Sequence, residues 1–131
     1  MNKVKLFEEN LTEKIIAAAI EVHRILGPGF GDDVYEEAFT YELKLHGIPF
    51  ERQKEFQVPY KDIIAKTYKF DFLVDNKIII ELKAVSALND IHEAQLISYL
   101  KATDLKVGLL INFNVKLLKN GIKRLINPKV K

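Results

Sequence analysis

The fold of this chain is decided by residues 78 to 85, which read Ile-Ile-Ile-Glu-Leu-Lys-Ala-Val. So apolar a run predicts a β-strand that is covered on both faces, yet this run carries two charges. An unpaired carboxylate is costly to remove from water, so a buried one persists only when a partner charge, a metal or a function compensates it. Because strand side chains alternate, Glu81 and Lys83 lie on one side and Leu82 on the other. An exposed edge strand is the alternative interpretation of these charges.

A second apolar run, ten residues upstream, carries a single acid. It covers residues 70–74, Phe-Asp-Phe-Leu-Val, and the polar residues 75–77 predict a hairpin between the two runs. A three-residue loop would put Asp71 directly opposite Glu81, with both carboxylates on one face of the sheet. A two-residue loop would place them on opposite faces unless a bulge restored the phase. An Asp followed on the next strand by Glu-x-Lys is typical of a magnesium-dependent phosphodiesterase.

Helix and turn signals place these runs in an α/β chain. Capping-box patterns and apolar residues at helical spacing predict helices that start at Asn10, Asp33 and Asp90. Gly27 and Gly47 end the first two helices. Besides the run at 78–85, strands are predicted over residues 50–58, over 63–74 as one long or two shorter strands, and over 107–113. These elements predict a single α/β domain over residues 1–131, with a mixed central sheet flanked by helices.

Composition excludes several classes of function. The chain has 131 residues, of which 48% are apolar and 29% charged, as expected of one soluble globular domain. It contains no cysteine, which excludes thiol catalysis, thiolate zinc sites and a disulfide framework. No uninterrupted apolar stretch reaches the roughly 18 residues of a membrane span, and the first residues form no apolar secretion segment. We therefore expect a cytoplasmic protein without a membrane partner.

Positive charge is concentrated towards the C-terminus. The formal net charge is only +2, but residues 101–131 hold eight Lys or Arg side chains against one acid, Asp104. Such a segment suits a polyanion, and Lys119, Lys123 and Arg124 are the candidate phosphate contacts. A solvated tail that keeps the protein soluble is an equally good explanation.

Three motifs along the chain resemble a known superfamily. Asp71, the strand motif Glu81-Leu82-Lys83 and the helix motif Gln95-Leu96-Ile97-Ser98-Tyr99 follow one another in the order helix, three strands, helix, strand. This order resembles the PD-(D/E)XK nuclease superfamily. The Gln-x-x-x-Tyr element is similar to that of its RecB-type exonuclease branch.

A closer resemblance is to the GxxExxY family of small bacterial proteins. It rests on Gly29-Phe30-Gly31-Asp32-Asp33-Val34-Tyr35-Glu36, Glu81-Leu82-Lys83-Ala84-Val85, His92-Glu93-Ala94-Gln95-Leu96 and Leu110-Ile111-Asn112-Phe113. The family's Glu is Asp32 in this chain, and this shorter side chain keeps the charge but reaches about one bond less far. The resemblance implies a restriction-endonuclease-like fold, an αβββαβ core with an extra N-terminal helix.

The resemblance also implies hydrolysis of phosphodiester bonds in DNA or RNA with Mg²⁺ or Mn²⁺. Asp71 and Glu81 would hold the ion together with the Leu82 carbonyl, because Mg²⁺ takes oxygen ligands and keeps several waters. The ion would stabilise charge on the phosphate and lower the pKa of a bound water. Lys83 would orient the attacking water or stabilise the pentavalent state.

Four further residues are candidates around this centre. Asp32 or Glu36 would complete the acidic cluster, although Glu36 serves equally well as a capping-box residue. Gln95 and Tyr99, at positions i and i+4, lie on one helical face and would support Lys83 or contact the substrate backbone. An ordinary helix surface with one half-buried Tyr is the alternative for this pair.

Two functions of different classes follow. The intact set Asp71, Glu81 and Lys83 favours a metal-dependent nuclease. The alternative is a nucleic-acid-binding or scaffold protein that keeps the nuclease fold without turnover. A domain of 131 residues offers little surface for a duplex, which favours a homodimer or a larger assembly.

Overall fold

The computed structural model describes residues 7–130, which form three helices and a five-stranded sheet. The elements are α1 (Glu9–Leu26), α2 (Asp32–Leu45), β1 (Phe50–Tyr60), β2 (Ile63–Val74), β3 (Ile78–Lys83), α3 (Asp90–Thr103), β4 (Val107–Asn112), a 3₁₀ turn (Leu118–Gly121) and β5 (Ile122–Ile126). The predicted mixed sheet flanked by helices is confirmed. Residues 63–74 form one long strand, and β5 is a strand that the sequence did not predict.

The sheet has the strand order β1-β2-β3-β4-β5. Among the strands of residues 7–130, β3 and β4 form the only parallel pair, and α3 makes the crossover between them, as parallel strands require. The β2–β3 hairpin pairs Val74 with Ile78, and Lys77 N–H donates to the Val74 carbonyl at 2.9 Å. The three-residue loop is therefore confirmed, and with it the register that sets Asp71 against Glu81.

Two apolar cores cover the two faces of β3. Ile80 and Leu82 pack with α1 and α2, whereas Ile79 packs against Leu96 and Leu100 of α3. All five residues are nearly or fully buried. This double coverage confirms that β3 is a central strand and not an exposed edge.

The helices begin at other residues than the capping patterns predicted. The helix α1 begins at Glu9, and α2 begins after Gly31; neither has a side-chain cap. In α3 the capping box consists of Asn89 and His92, so the predicted start was one residue late. Glu36 is therefore not a capping residue, and its carboxylate is available for tertiary contacts.

Candidate active site

The candidate site lies where β2 separates from β3. Backbone pairing of the two strands ends at Phe72 and Ile80, and one residue further along, carboxylate oxygens accept the hydrogen bonds between the strands. Asp71 N–H donates to Oε2 of Glu81 at 2.8 Å, and Leu82 N–H donates to Oδ2 of Asp71 at 2.8 Å. Each acid thus accepts a backbone hydrogen bond from the opposite strand. The structure brings the two predicted acids together.

Both acids are in a poor environment for negative charge. Glu81 is only 8% exposed, and burial, followed by the charge of Asp71, raises its pKa to about 8. Burial likewise raises the pKa of Asp71, against the opposing effect of the Leu82 N–H hydrogen bond. Two neighbouring carboxyls with raised pKa values favour a proton or a cation between them.

Lys83 is a positive charge two residues after Glu81. Its charge lowers the pKa values of both Asp71 and Glu81, so its ammonium group is in electrostatic reach of the site. Within residues 7–130, however, Lys83 forms no ion pair at 4.0 Å or less. A direct Glu81–Lys83 ion pair is therefore not what compensates the buried carboxylate.

Strand geometry gives the direction of the Leu82 carbonyl. In a strand the N–H and C=O of one residue point to the same side, and successive residues alternate. Leu82 N–H points to β2, where it meets Asp71, whereas the Lys83 carbonyl points to the other side and accepts from Phe113 N–H. The Leu82 oxygen is thus directed towards β2, as its predicted ligand role needs.

Glu36 joins the acidic pair, and Asp32 does not. The Gln53 amide donates to Oε1 of Glu36 at 3.1 Å and to Oδ1 of Asp71 at 3.4 Å. The charge of Glu36 contributes to the raised pKa values of both Asp71 and Glu81. Asp32, the first residue of α2, is exposed, and no contact joins it to these acids in the described part of the chain.

Sequence reasoning missed Arg52 and Gln53. Arg52 donates to Glu36 and Glu37 at 2.8 and 2.9 Å, which ties β1 to α2. Gln53 has a left-handed backbone with φ of +49°, unusual for a non-glycine residue within a strand. An Arg-Gln pair in a strand is too common in sequences to indicate a functional site, so no sequence signal pointed to these two residues.

The strand β2 changes sides at the site. Phe72 packs with the α1 and α2 core, whereas Phe70 packs with the α3 core, although residues two apart in a strand normally share a face. The change occurs at Asp71, opposite the left-handed Gln53. At this break the backbone N–H groups of Asp71 and Leu82 donate to carboxylate oxygens and not to backbone carbonyls.

Tyr99 and Gln95 differ in their relation to the site. Tyr99 is 8% exposed and its ring packs edge-on against Phe56, with 4.9 Å between the centroids. Burial raises its pKa to about 12, and the charges of Glu81 and Asp71 act in the same direction. Gln95 is exposed and forms no hydrogen bond within residues 7–130.

The three candidate phosphate contacts do not form one patch. Lys123 and Arg124 are consecutive residues of β5 and so lie on opposite faces. Lys123 pairs with Leu110, which pairs with Glu81, so it shares the α3 face with the site. Arg124 donates to the Phe7 carbonyl at 2.6 Å. Lys119 lies in the 3₁₀ turn beside the end of α1.

Residues 9–125 match the family model of the PD-(D/E)XK nuclease superfamily. The chain belongs to this superfamily. No curated protein matches the chain. Membership confirms the restriction-endonuclease-like fold and implies a nucleic-acid substrate. None of the helices in residues 7–130 combines the length and hydropathy that crossing a bilayer requires.

PD-(D/E)XK nucleases generally use divalent metals, and the donor set of this chain fits such an ion. Asp71, Glu81 and the Leu82 carbonyl supply hard oxygen donors, and Oε1 of Glu81 accepts no hydrogen bond from residues 7–130. Within the same residues, no three His, Asp or Glu side chains converge into a complete metal cage. One or two carboxylates are enough for Mg²⁺, which fills its remaining positions with water and substrate oxygens.

Proposed function

We propose that this protein is a Mg²⁺-dependent nuclease of the GxxExxY family that hydrolyses phosphodiester bonds of DNA or RNA in the cytoplasm. The observation that carries the proposal is that Asp71 N–H donates to Glu81 and Leu82 N–H donates to Asp71, which sets the buried Glu81 carboxylate beside the half-buried Asp71 carboxylate. Glu81 is buried and not ion-paired to Lys83, so its charge destabilises the fold unless a cation or a proton compensates it. A catalytic metal site explains why such an arrangement is present.

Each residue of the site has a defined task in this proposal. Asp71 and Glu81 would hold Mg²⁺ or Mn²⁺ together with the Leu82 carbonyl, and Glu36 would bind through a water. The bound ion would stabilise charge on the phosphate and lower the pKa of its water. Lys83 would orient the attacking water, and its positive charge would offset the developing negative charge on the phosphate.

The test is cleavage of labelled single- and double-stranded DNA and RNA with Mg²⁺, Mn²⁺ or EDTA. We expect wild-type protein to cleave one of these substrates with either metal and none with EDTA. Glu81→Ala should be inactive, and the exposed Glu13→Ala should cleave like wild type, because Glu13 lies on the outer surface of α1. Cleavage that survives in Glu81→Ala would show that the site lies elsewhere.

A second candidate is a nucleic-acid-binding or scaffold protein without turnover. It is favoured by Arg52, which holds Glu36 and Glu37 in ion pairs and so competes with any metal role of Glu36. Nucleic-acid binding without cleavage under every metal condition would support this candidate. Gel filtration with light scattering would then show whether the chain acts as a homodimer or in a larger assembly.

A further inference from the structure

The β1–β2 hairpin extends far beyond the rest of the sheet. Its strand β2 pairs with β3 only through residues 72–74, whereas pairing with β1 continues to Tyr60 and Ile63 at the turn. Residues 57–69, here called the arm, are all exposed except Val58, which is half-buried. The turn at Ile63 is about 26 Å from Asp71 along β2 at the usual rise per residue. Apart from Val58, which packs on the α3 core, and Tyr68, whose ring centroid lies 5.6 Å from that of Tyr99, it is a two-stranded ribbon with solvent on both faces.

The arm is basic and carries exposed tyrosines. It holds Lys61, Lys66 and Lys69 against one acid, Asp62, and within residues 7–130 none of these lysines forms an ion pair. Lys66 Nζ lies 4.9 Å from the ring centroid of Tyr68. Unpaired ammonium groups on a projecting ribbon complement a polyanion.

The edges of the arm are protected against pairing with another strand. Pro59 lacks a backbone donor, and the register of the hairpin shifts between Val58 and Pro59. Lys61, at the turn, has a left-handed backbone with φ of +52°. Lysines, proline and a register irregularity are the features by which edge strands avoid strand addition. These features disfavour a second copy of the chain as the occupant.

We propose that the arm binds double-stranded DNA by entering its major groove. A two-stranded β-ribbon fits that groove, about 12 Å wide, whereas the major groove of an RNA helix is too narrow. Lys69 is two residues from Asp71 on the same strand, so a duplex held by the arm lies beside the acidic pair. The choice of substrate rests on the proposed nuclease function, which this inference makes more specific.

The experiment measures binding separately from cleavage. All variants carry Glu81→Gln, and affinity for a short DNA duplex is measured by fluorescence anisotropy in EDTA across a salt series. Lys61→Gln, Lys66→Gln and Lys69→Gln combined should flatten the slope of log K against log salt by about 2–3 units, and each single change by about 1. The control combines Lys14→Gln, Lys44→Gln and Lys101→Gln, which are exposed lysines of the three helices, and should keep the slope. Circular dichroism confirms that each variant is folded.

Three outcomes would overturn the proposal. One is an unchanged slope in the arm variant; another is an equal loss in the control. The third is evidence of a different partner on the arm. Tighter binding of single-stranded DNA or of an RNA duplex would show another nucleic acid there, and a lower molecular mass of the arm variant in solution without DNA would show a second copy of the chain. If the arm variant loses duplex binding but the wild type never cleaves, the proposed nuclease function is wrong and the proposed role of the arm stands.

Discussion

Glu81 is a carboxyl whose surroundings oppose its charge, which makes the stability of the metal-free protein depend on pH. Burial raises its folded pKa to about 8, whereas its value in the unfolded chain is near 4.5. Between these values the folded state binds more protons, so the free energy of unfolding falls as pH rises from about 4.5 to about 8. The shift of Asp71 acts in the same direction.

We predict that Glu81→Gln removes most of this fall, because the amide stays neutral at every pH. Urea unfolding in EDTA at several pH values between about 5 and 9 measures it, and the expected difference is a few kcal/mol at the alkaline end. Glu13→Gln serves as the control. A wild type with equal stability across this range would contradict the raised pKa.

The same substitution tests the metal. Mg²⁺ that binds only the folded state should raise the melting temperature of the wild type, and Glu81→Gln should abolish that rise while leaving the melting temperature in EDTA unchanged or higher. Because the carboxyls must lose their protons to bind an ion, the rise should grow as the pH approaches 8. If Glu81 served instead in an ion pair, Glu81→Gln would lose about 3–5 kcal/mol and the wild type would ignore Mg²⁺.

Tyr99 and Gln95 test whether the Gln-x-x-x-Tyr motif takes part in the reaction. We expect Gln95→Ala and Tyr99→Phe each to lower turnover by about tenfold while Mg²⁺ affinity stays within a few-fold. Tyr99→Phe keeps the ring that packs on Phe56, so it removes the hydroxyl alone. Full turnover in both variants would show that the motif has no mechanistic role.

The strand β1 contributes to the site through Gln53. We predict that Gln53→Gly is more stable than Gln53→Ala by about 1 kcal/mol, since only glycine adopts a φ of +49° without strain. Both variants lose the amide that bridges Glu36 and Asp71, so both should lower turnover. Chemical unfolding and single-turnover kinetics separate the two effects. Wild-type turnover in the glycine variant would mean that the bridge only supports the backbone.

At the scale of the whole molecule, the basic residues of the C-terminal third are candidates for contacts with phosphates. We predict that Lys119→Gln, Lys123→Gln and Arg124→Gln together flatten the salt dependence of nucleic-acid binding by about 1 unit, nearly all of it from Lys123, because Lys123 lies on the α3 face with the site and Arg124 on the opposite face. Arg124→Gln should also cost about 1 kcal/mol of stability, because it loses the hydrogen bond to Phe7. An unchanged salt slope in the triple variant would identify these residues as solvated surface.

Local sequence patterns were enough to predict the centre of the fold. The apolar run of β3 and the polar loop 75–77 limited the hairpin to two registers, and the structure has the three-residue loop that sets Asp71 against Glu81. These features depend on residues that are neighbours along the chain or across one short turn. Glu81 and Lys83 indicated the candidate site for the same reason, because the apolar residues next to them in the sequence predicted that this strand is buried.

The contacts between distant elements came only from packing. Glu36 is on a helix and Gln53 is 17 residues away on a strand. Only the packing of α2 against the sheet brings Glu36 within reach of the Gln53 amide that also donates to Asp71. The side change of β2 at Asp71 and the separation of Lys123 from Arg124 likewise depend on which core covers each face. The periodicity of a sequence predicts which residues share a face. Which element packs on that face depends on the energy of contacts between residues far apart in the sequence, and a linear pattern does not contain these contacts.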